Sequence, residues 1–206
     1  MTFNSIEFII FYPIVLLLNF LVPLKYRWIP LLAASLYFYM SYSAELIFLI
    51  VFTILVSWVC SLIIEQAKSQ HVKRICSAVT LIVCLGVLAF FKYYNFLADS
   101  VAGIVGLFGG VKPDYSLDLL LPVGISFYTF QTLSYAIDVY RGDVKTERHL
   151  GYYALFVTFF PQLVAGPIER PGNLMPQLKE PHTFNWEDAG KGGKKMLMGF
   201  FKKIVV

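Results

Sequence analysis

The stretch LIFLIVFTILVSWVCSLII, residues 46–64, decides the fold class. It contains no charged residue and lies between Glu45 and Glu65. A helix that crosses a bilayer needs about 20 mostly apolar residues. In lipid, the backbone N–H and C=O groups must be paired within the segment itself, and an α-helix does this. The stretch therefore predicts a membrane-spanning helix.

Similar uncharged runs lie on both sides of this stretch. The other predicted spans are residues 8–24, 28–44, 75–91 and 119–137. Hydrophobic residues make up 58% of the 206-residue sequence and charged residues 15%, whereas soluble domains average about 45–50% and about 25%. We therefore predict an all-α, polytopic transmembrane protein, with residues 1–206 belonging to one domain.

The positions of Lys and Arg in the short loops predict the orientation. Lys25 and Arg27 follow the first span, and a basic cluster at 68–74 follows the third, but residues 41–45 contain neither Lys nor Arg. Cytoplasmic loops carry an excess of Lys and Arg. We expect a multi-pass protein of the cell (inner) membrane with its N-terminus outside. The formal net charge of +4 is small and scattered, so the expected partner is the lipid bilayer and not nucleic acid.

The segment 93–111 does not fit the pattern of a span, because Asp99 interrupts it and the remainder is too short. We expect it to be interfacial or partly inserted on the outer side. The fifth span then passes inward, which places Arg141, Lys145 and Arg148 in the cytoplasm, as the charge rule favours.

The sixth apolar run, residues 150–168, contains Pro161, Gly166 and Pro167 in its second half. Proline removes a backbone donor and kinks a helix. Broken backbone at membrane depth is tolerated where protein or a water-filled cavity covers it. The run therefore indicates a broken or re-entrant helix beside a cavity, and a plain span kinked at Pro161 remains open as the alternative.

The last part of the sequence is read as polar loop followed by another helix. Residues 178–193 are predicted to be loop, and residues 196–206 begin a new apolar helix with paired lysines. The helical pattern reaches the last residue without a cap or a polar tail. We therefore expect the sequence to be truncated or fragmentary, and the resemblance described below implies that it is an N-terminal fragment.

A polar stripe follows one face of the fifth span. Gln131, Ser134, Asp138 and Arg141 recur at spacings of three and four, which places them on one side of a helix. Asp138 and Arg141 can pair across one turn. Polar side chains in a membrane usually face the bundle interior or a water-filled path. The stripe is typical of a substrate path, and hydrogen bonding between helices together with a terminal ion pair is the alternative.

A second polar group surrounds the interruption in the sixth run. Gln162 follows Pro161, and Glu169 and Arg170 lie at the exit of the run. An arginine can bind two oxygens of a carboxylate or phosphate, so these residues indicate a polar collar at a cavity mouth. A helix-end salt bridge of little energetic value is the alternative.

No recognisable catalytic or metal-binding motif is present. His71, His149 and His182 lie in hydrophilic stretches and are expected to be solvated. The sequence contains no glycine-rich phosphate loop, CxxC pair, GxSxG elbow or HExxH motif. We therefore expect no metal site and no bound cofactor.

Three stretches nevertheless carry a family resemblance. They are LPVGISFYTFQTLSYAIDVYRGD at 121–143, FFPQLVAGPIERPGNLMPQL at 159–178 and GFFKKIVV at 199–206. Together they closely resemble the membrane-bound O-acyltransferases, and within that family the bacterial O-acetyltransferases of alginate and other polysaccharides. Proteins that transfer D-alanyl groups to teichoic acid are more distant relatives.

The resemblance implies a ring of transmembrane helices around a central funnel. The acyl donor, acetyl-CoA or an acyl-carrier thioester, arrives on the cytoplasmic side. A hydroxyl of an exported polysaccharide approaches from the outer side, where periplasmic or extracellular acetyltransferase proteins are the expected partners. Excluding water from the thioester lets transfer compete with hydrolysis.

The resemblance also limits which residues can be assigned. The family's catalytic histidine lies downstream in an apolar segment, and no histidine of this sequence matches it, so we assign no catalytic residue and expect the fragment to be inactive alone. The substrate-channel candidates are Gln131, Ser134, Asp138, Arg141, Pro161, Gln162, Gly166, Pro167, Glu169 and Arg170. A transport or scaffold subunit, or a transferase of D-alanyl or lipid acyl groups, is the alternative function.

Overall fold

A computed structural model describes residues 1–107, 122, 124–163 and 166–204, and these ranges contain helices and turns but no strand. The helices are α1 (Ile6–Leu21), α2 (Trp28–Ser43), α3 (Ile47–Gln66), α4 (Gln70–Leu107), α5 (Ile125–Arg141), α6 (Leu150–Thr158), α7 (Phe160–Leu163), α8 (Pro171–Lys179) and α9 (Trp186–Ile204). The prediction of an all-α protein is confirmed.

Two stretches among the described residues are long and apolar enough to cross a membrane. They are Ala44–Gln66, which includes α3, and Gln70–Val105, which is most of α4. The segments Ile6–Leu21 and Leu150–Leu163 are also apolar but shorter. At 1.5 Å per residue, α1 has a length of about 24 Å, somewhat less than the hydrocarbon core of about 30 Å.

The distribution of side chains also fits a lipid environment. Large apolar side chains point outward, such as Ile6 and Phe48, which are 76% and 78% exposed. Small hydroxyl side chains instead lie inside, such as Thr53 and Ser57 of α3, which are at most 1% exposed. Helices in lipid pack through small and polar residues, because the lipid already accommodates the apolar ones. The chain is therefore a helical membrane protein.

The interior consists of two clusters of packed side chains. The larger cluster joins α3, α4, α5 and α6, with Tyr128, Tyr135 and Tyr153 fully buried at its centre. The smaller cluster joins α1, α2 and α7 through the contacting rings of Phe38 and Phe160 and their neighbours. The chain segment formed by α6 and α7 takes part in both clusters, so its interruption lies between them.

The fourth helix corrects the predicted segment boundary near residue 91. The helix α4 continues from Gln70 to Leu107, so residues 93–107 are not a separate interfacial segment, while residues 108–111 lie outside the described ranges. Lys92 and Asp99 interrupt the hydropathy pattern, but neither residue breaks the backbone hydrogen bonds of a helix. At about 57 Å, α4 is much longer than the hydrocarbon core is thick.

The fifth helix is described only from its N-terminal glycine. Gly124 caps α5 with a φ of 74°, and Gly142 ends it with a φ of 83°. Residues 119–121, the predicted start of the fifth span, lie outside the described ranges. Both glycines adopt the left-handed conformation that other residues reach only at a cost in energy.

The last helix begins ten residues earlier than predicted. The helix α9 starts at Trp186, so residues 186–193 are helical and not loop. The side chain of Asn185 accepts a hydrogen bond of 2.9 Å from the backbone N–H of Glu187, and Lys191 pairs with Glu187 one turn away at 2.7 Å. These capping and charge contacts stabilise the first turns despite Gly190, Gly192 and Gly193.

Candidate functional site

Two glutamine side chains, Gln131 buried and Gln162 half-buried, meet where the sixth apolar run is interrupted. The Nε2 of Gln162 in α7 donates a hydrogen bond of 2.8 Å to Oε1 of Gln131 in α5. Gln131 is 2% exposed, and its own Nε2 has no hydrogen-bond partner among the described residues. A buried N–H without a partner costs free energy, so this group is a donor available to a ligand oxygen.

The interruption itself lies at Phe159, between α6 and α7. This residue has a ψ of 108° and ends α6 two residues before Pro161. The backbone N–H of Phe160 loses its place in the helical pattern and donates instead to Oγ of Ser35 in α2, at 3.2 Å. Ser35 is fully buried. A neighbouring helix thus pairs the backbone group that the interruption releases, which is the condition for broken backbone in lipid.

Two glycines allow the interrupted helix to approach its surroundings closely. A β-carbon at Gly124 would lie 2.6 Å from the backbone oxygen of Leu163 at the end of α7. A β-carbon at Gly166 would lie 2.6 Å from Cα of Gln162, over which the chain turns with a hydrogen bond of 2.9 Å. The small size of both residues therefore positions α7 and the Gln162 side chain against α5.

A narrow crevice opens beside the glutamine pair. Apolar side chains from α5, α6 and α7 form most of its wall, and Gln131 and Gln162 supply the polar part. Its volume is ≈ 10 Å³, about the space that one water molecule needs. The described state is therefore closed, and a larger ligand requires the helices around the interruption to separate.

The rest of the polar stripe on α5 does not join this site. Asp138 is buried at 6% exposed, Ser134 is half-buried and Arg141 is exposed. The expected pairing of Asp138 with Arg141 does not occur among the described residues. The backbone oxygen of Asp138 instead accepts a hydrogen bond of 2.9 Å from the N–H of Asp143, in the turn that Gly142 forms. Arg141 lies in that same turn region and faces a cleft with Lys73.

The residues that follow the interruption lie nearer the surface. Pro161, Pro167 and Arg170 are exposed, and Glu169 is half-buried. Glu169 accepts a hydrogen bond of 2.8 Å from the side chain of Asn173, while Arg170 supplies the backbone cap of α8. Glu169 and Arg170 do not pair with each other among the described residues. The structure thus brings together Gln131, Gln162 and Gly166. Pro161 precedes Gln162 in the chain but does not line the crevice, and the other candidates lie apart.

A buried acidic residue that the sequence did not single out lies in the loop before α6. Glu147 is 8% exposed, and one of its carboxylate oxygens forms an ion pair with Lys179 at the end of α8. The other oxygen accepts a hydrogen bond of 2.9 Å from the backbone N–H of His149. The backbone N–H of Glu147 donates to the Tyr135 hydroxyl at 2.8 Å, and its carbonyl accepts from Trp58 Nε1 at 2.8 Å.

The contacts of Glu147 with Trp58, Tyr135 and Lys179 join α3, α5 and α8 at one point. They hold in place the loop that leads into the interrupted helix. The one weak sequence signal for Glu147 is its position as a charged residue in the hydrophilic segment between two apolar runs.

Comparisons with known proteins extend over the whole chain. The sequence is 37% identical over 209 residues to the probable alginate O-acetylase AlgI of Azotobacter vinelandii, covering 100% of this chain and 41% of the relative. It is 36% identical over 210 residues to the protein of the same name from Pseudomonas aeruginosa, covering 100% of this chain and 40% of that relative. It is 32% identical over 203 residues to the peptidoglycan O-acetyltransferase of Helicobacter pylori, covering 85% of this chain and 37% of that relative.

The chain therefore spans about two-fifths of the length of the curated relatives that it matches, and the matched part is their N-terminal part. No family model matches the sequence, and no solved structure matches it.

Proposed function

Because the chain is homologous to the N-terminal two-fifths of bacterial membrane-bound O-acetyltransferases, we propose that it provides part of the substrate passage of an enzyme that acetylates an exported polysaccharide. The family resemblance carried by the sequence motifs is confirmed by these relatives. The names of the relatives favour an alginate-like polymer or peptidoglycan as the acceptor.

The observation that carries the proposal is the unpaired N–H donor of Gln131. It lies in the interior of the protein, at the interruption between α6 and α7 and beside the amide of Gln162. We assign to this amide a hydrogen bond to an oxygen of the substrate, either the thioester carbonyl or the acceptor hydroxyl. Donors that are fixed in a dry site stabilise developing negative charge more than donors in water do.

The proposed reaction has a thioester donor, acetyl-CoA or an acetylated carrier. The acceptor hydroxyl oxygen forms a bond to the acetyl carbonyl carbon, the C–S bond breaks, and the hydroxyl proton ends on the released thiol. The contribution of this chain is to hold the reacting oxygen at the Gln131–Gln162 pair and to keep water away, because the surrounding wall is apolar. We assign the base that takes the proton to no residue of this chain.

The proposed location is the cell (inner) membrane, with the N-terminus outside. Lys25 and Arg27 after α1, and Lys68, Lys73 and Arg74 around the start of α4, support this orientation. Donor and acceptor then approach from opposite sides, and acetyltransferase proteins outside the membrane are the proposed partners.

Single cysteines introduced at the positions of Glu45 and His71, in a chain whose native cysteines are replaced, test the orientation in the membrane. Labelling of Glu45 from outside the cell and of His71 only after permeabilisation supports it, and labelling of both from one face rejects it.

Deletion of the gene that encodes the proposed enzyme tests its function in polysaccharide acetylation. The acetyl content of the exported polysaccharide is measured by base-released acetate in the wild type, in the deletion strain and in the strain complemented with the gene. We expect the deletion to remove polymer-bound acetate and the gene to restore it. Unchanged acetylation in the deletion strain would reject the proposal.

A further inference from the structure

A long groove runs along α1, with α9 forming part of its opposite wall, and neither Gln131 nor Gln162 lines it. It consists of cavities of ≈ 450, ≈ 240 and ≈ 390 Å³, and Tyr12 contributes to the wall of all three. One end lies between Phe3 and Lys203, and the other lies beside Phe20 and Phe184. The groove therefore follows most of the length of α1.

The walls of the groove are mainly apolar. Leu16 of α1 lines two of the cavities, and Phe160 and Pro161 of the interrupted helix line the middle of the groove. The opposite wall comes from Met196 and its neighbours in α9. An apolar groove at the surface of a membrane protein faces hydrocarbon chains, and those chains fill it without loss of hydrogen bonds.

Polar and aromatic groups mark one end of the groove as lying at the membrane surface. The ring of Phe184 contacts the rings of Phe20 and Trp186, with centroids 5.3 and 4.9 Å away. The guanidinium of Arg27 lies over the Phe20 ring at 5.6 Å. Aromatic rings and cationic side chains together are typical of the level at which lipid head groups lie.

The polar atoms at this end complement a phospholipid head group. Arg27 lines the cavity and donates a hydrogen bond of 2.6 Å to the carbonyl of His182, which holds the guanidinium at the rim. Asn19 lies in the wall, and its buried Oδ1 has no partner among the described residues. The carboxylate side chain of Glu180 belongs to the same rim. This rim therefore offers a cation to a phosphate, and an amide oxygen and a carboxylate to a hydrogen-bond donor.

We propose that this groove binds one glycerophospholipid, with its phosphate on Arg27, the ammonium of an ethanolamine head group near Asn19 and Glu180, and an acyl chain along α1. Basic pockets between membrane helices bind lipid head groups in this way. The site is distinct from the Gln131–Gln162 pair. It depends on the membrane location of the chain and not on acetyl transfer, so either proposal can fail without the other.

Native mass spectrometry of the purified chain with phosphatidylethanolamine in mixed micelles measures the lipid-bound fraction. Arg27→Gln removes the phosphate partner, and Lys25→Gln is its control, because Lys25 lies two residues away and outside the groove walls. Leu16→Trp fills the groove, and Leu17→Trp is its control, because Leu17 is 63% exposed and lines none of the three cavities.

We expect Arg27→Gln and Leu16→Trp each to lower the lipid-bound fraction by about fivefold, whereas both controls match the wild type. Helical content and thermal unfolding of each variant show that the fold is retained. The absence of a lipid adduct on the wild-type chain, or equal binding by all five proteins, would overturn the proposal. Equal retention of phosphatidylcholine, whose head group has no donor, would overturn the assignment of Asn19 and Glu180.

Discussion

The amide of Gln162 donates to the amide oxygen of Gln131 across a separation of 31 residues, at 2.8 Å. The bond joins the short helix α7 to the middle of α5. The Nε2 group of Gln131, a residue that lines the crevice, has no partner among the described residues. Since α7 follows an interruption in an apolar run, this pair is a polar link in a region that otherwise packs through apolar side chains.

A double-mutant cycle of Gln131→Met and Gln162→Met measures the energy of this link. We expect the double variant to lose less stability than the sum of the two single variants, with a coupling free energy of about 0.6–1.5 kcal/mol, as found for hydrogen bonds between membrane helices. Thermal unfolding in detergent provides the measurement. As a control, the stability losses of Gln177→Met, at an exposed position, and of Gln131→Met should add in the double variant. Strict additivity of the Gln131 and Gln162 changes would show that the bond does not form.

Ser35→Ala should destabilise the interrupted helix. The change leaves the N–H of Phe160 buried without an acceptor, which costs about 1–3 kcal/mol. Ser100→Ala is the control, because Ser100 is exposed and its hydroxyl donates to the Phe96 carbonyl one turn earlier in its own helix. The midpoints of thermal unfolding of the two variants are compared. Equal midpoints would mean that Ser35 does not pair the released N–H.

Comparing alanine variants of two glycines that share a backbone conformation separates the cost of backbone strain from the cost of a steric contact. Gly124→Ala and Gly142→Ala both place a side chain at a positive φ, and each should cost about 1–2 kcal/mol. A β-carbon at Gly124 also meets the Leu163 carbonyl oxygen, whereas nothing lies within 4 Å of one at Gly142. We therefore expect Gly124→Ala to unfold at the lower temperature. The reverse order would contradict the close approach of α5 and α7.

The ion pair of Glu147 with Lys179 should contribute more to stability than an exposed pair does. Glu147→Gln removes the charge while it keeps the size of the side chain, and we expect a loss of about 1–2 kcal/mol, since Lys179 is partly exposed. Glu187→Gln breaks an exposed pair with Lys191 and should cost at most about 0.5 kcal/mol. Chemical denaturation of both variants gives the comparison. Similar losses would indicate that Glu147 is solvated.

Hydropathy predicted the helical class and the approximate positions of the early helices, because each of these depends on local composition. The third span, predicted at 46–64, corresponds to α3 at Ile47–Gln66. The predicted end of the fourth span near residue 91 was wrong, because Asp99 changes the hydropathy of the segment without affecting its helical hydrogen bonds. The predicted start of α9 was also wrong, because the polar composition of residues 178–193 suggested a loop where Asn185 and Glu187 begin a helix.

The sequence predicted the polar candidates but not which of them meet. Spacing placed Gln131 and Asp138 on one face of α5, yet their neighbours come from different parts of the chain: Gln131 contacts Gln162, and the Asp138 carbonyl belongs to the turn at Gly142. Helical periodicity gives the face of a residue but not the helix packed against it. For the same reason the buried carboxylate of Glu147 could not be found from its hydrophilic sequence neighbourhood.

Polymer acetylation by the Gln131→Met variant tests the central claim most directly. The deletion strain is complemented with the wild-type gene, with Gln131→Met or with Gln177→Met, and polymer-bound acetate is measured per amount of protein in the membrane. We expect full restoration by the wild type and by Gln177→Met, and about tenfold less acetate with Gln131→Met, equivalent to roughly 1.4 kcal/mol of lost transition-state stabilisation. Full acetylation by Gln131→Met at an equal protein amount would contradict the role given to the unpaired amide.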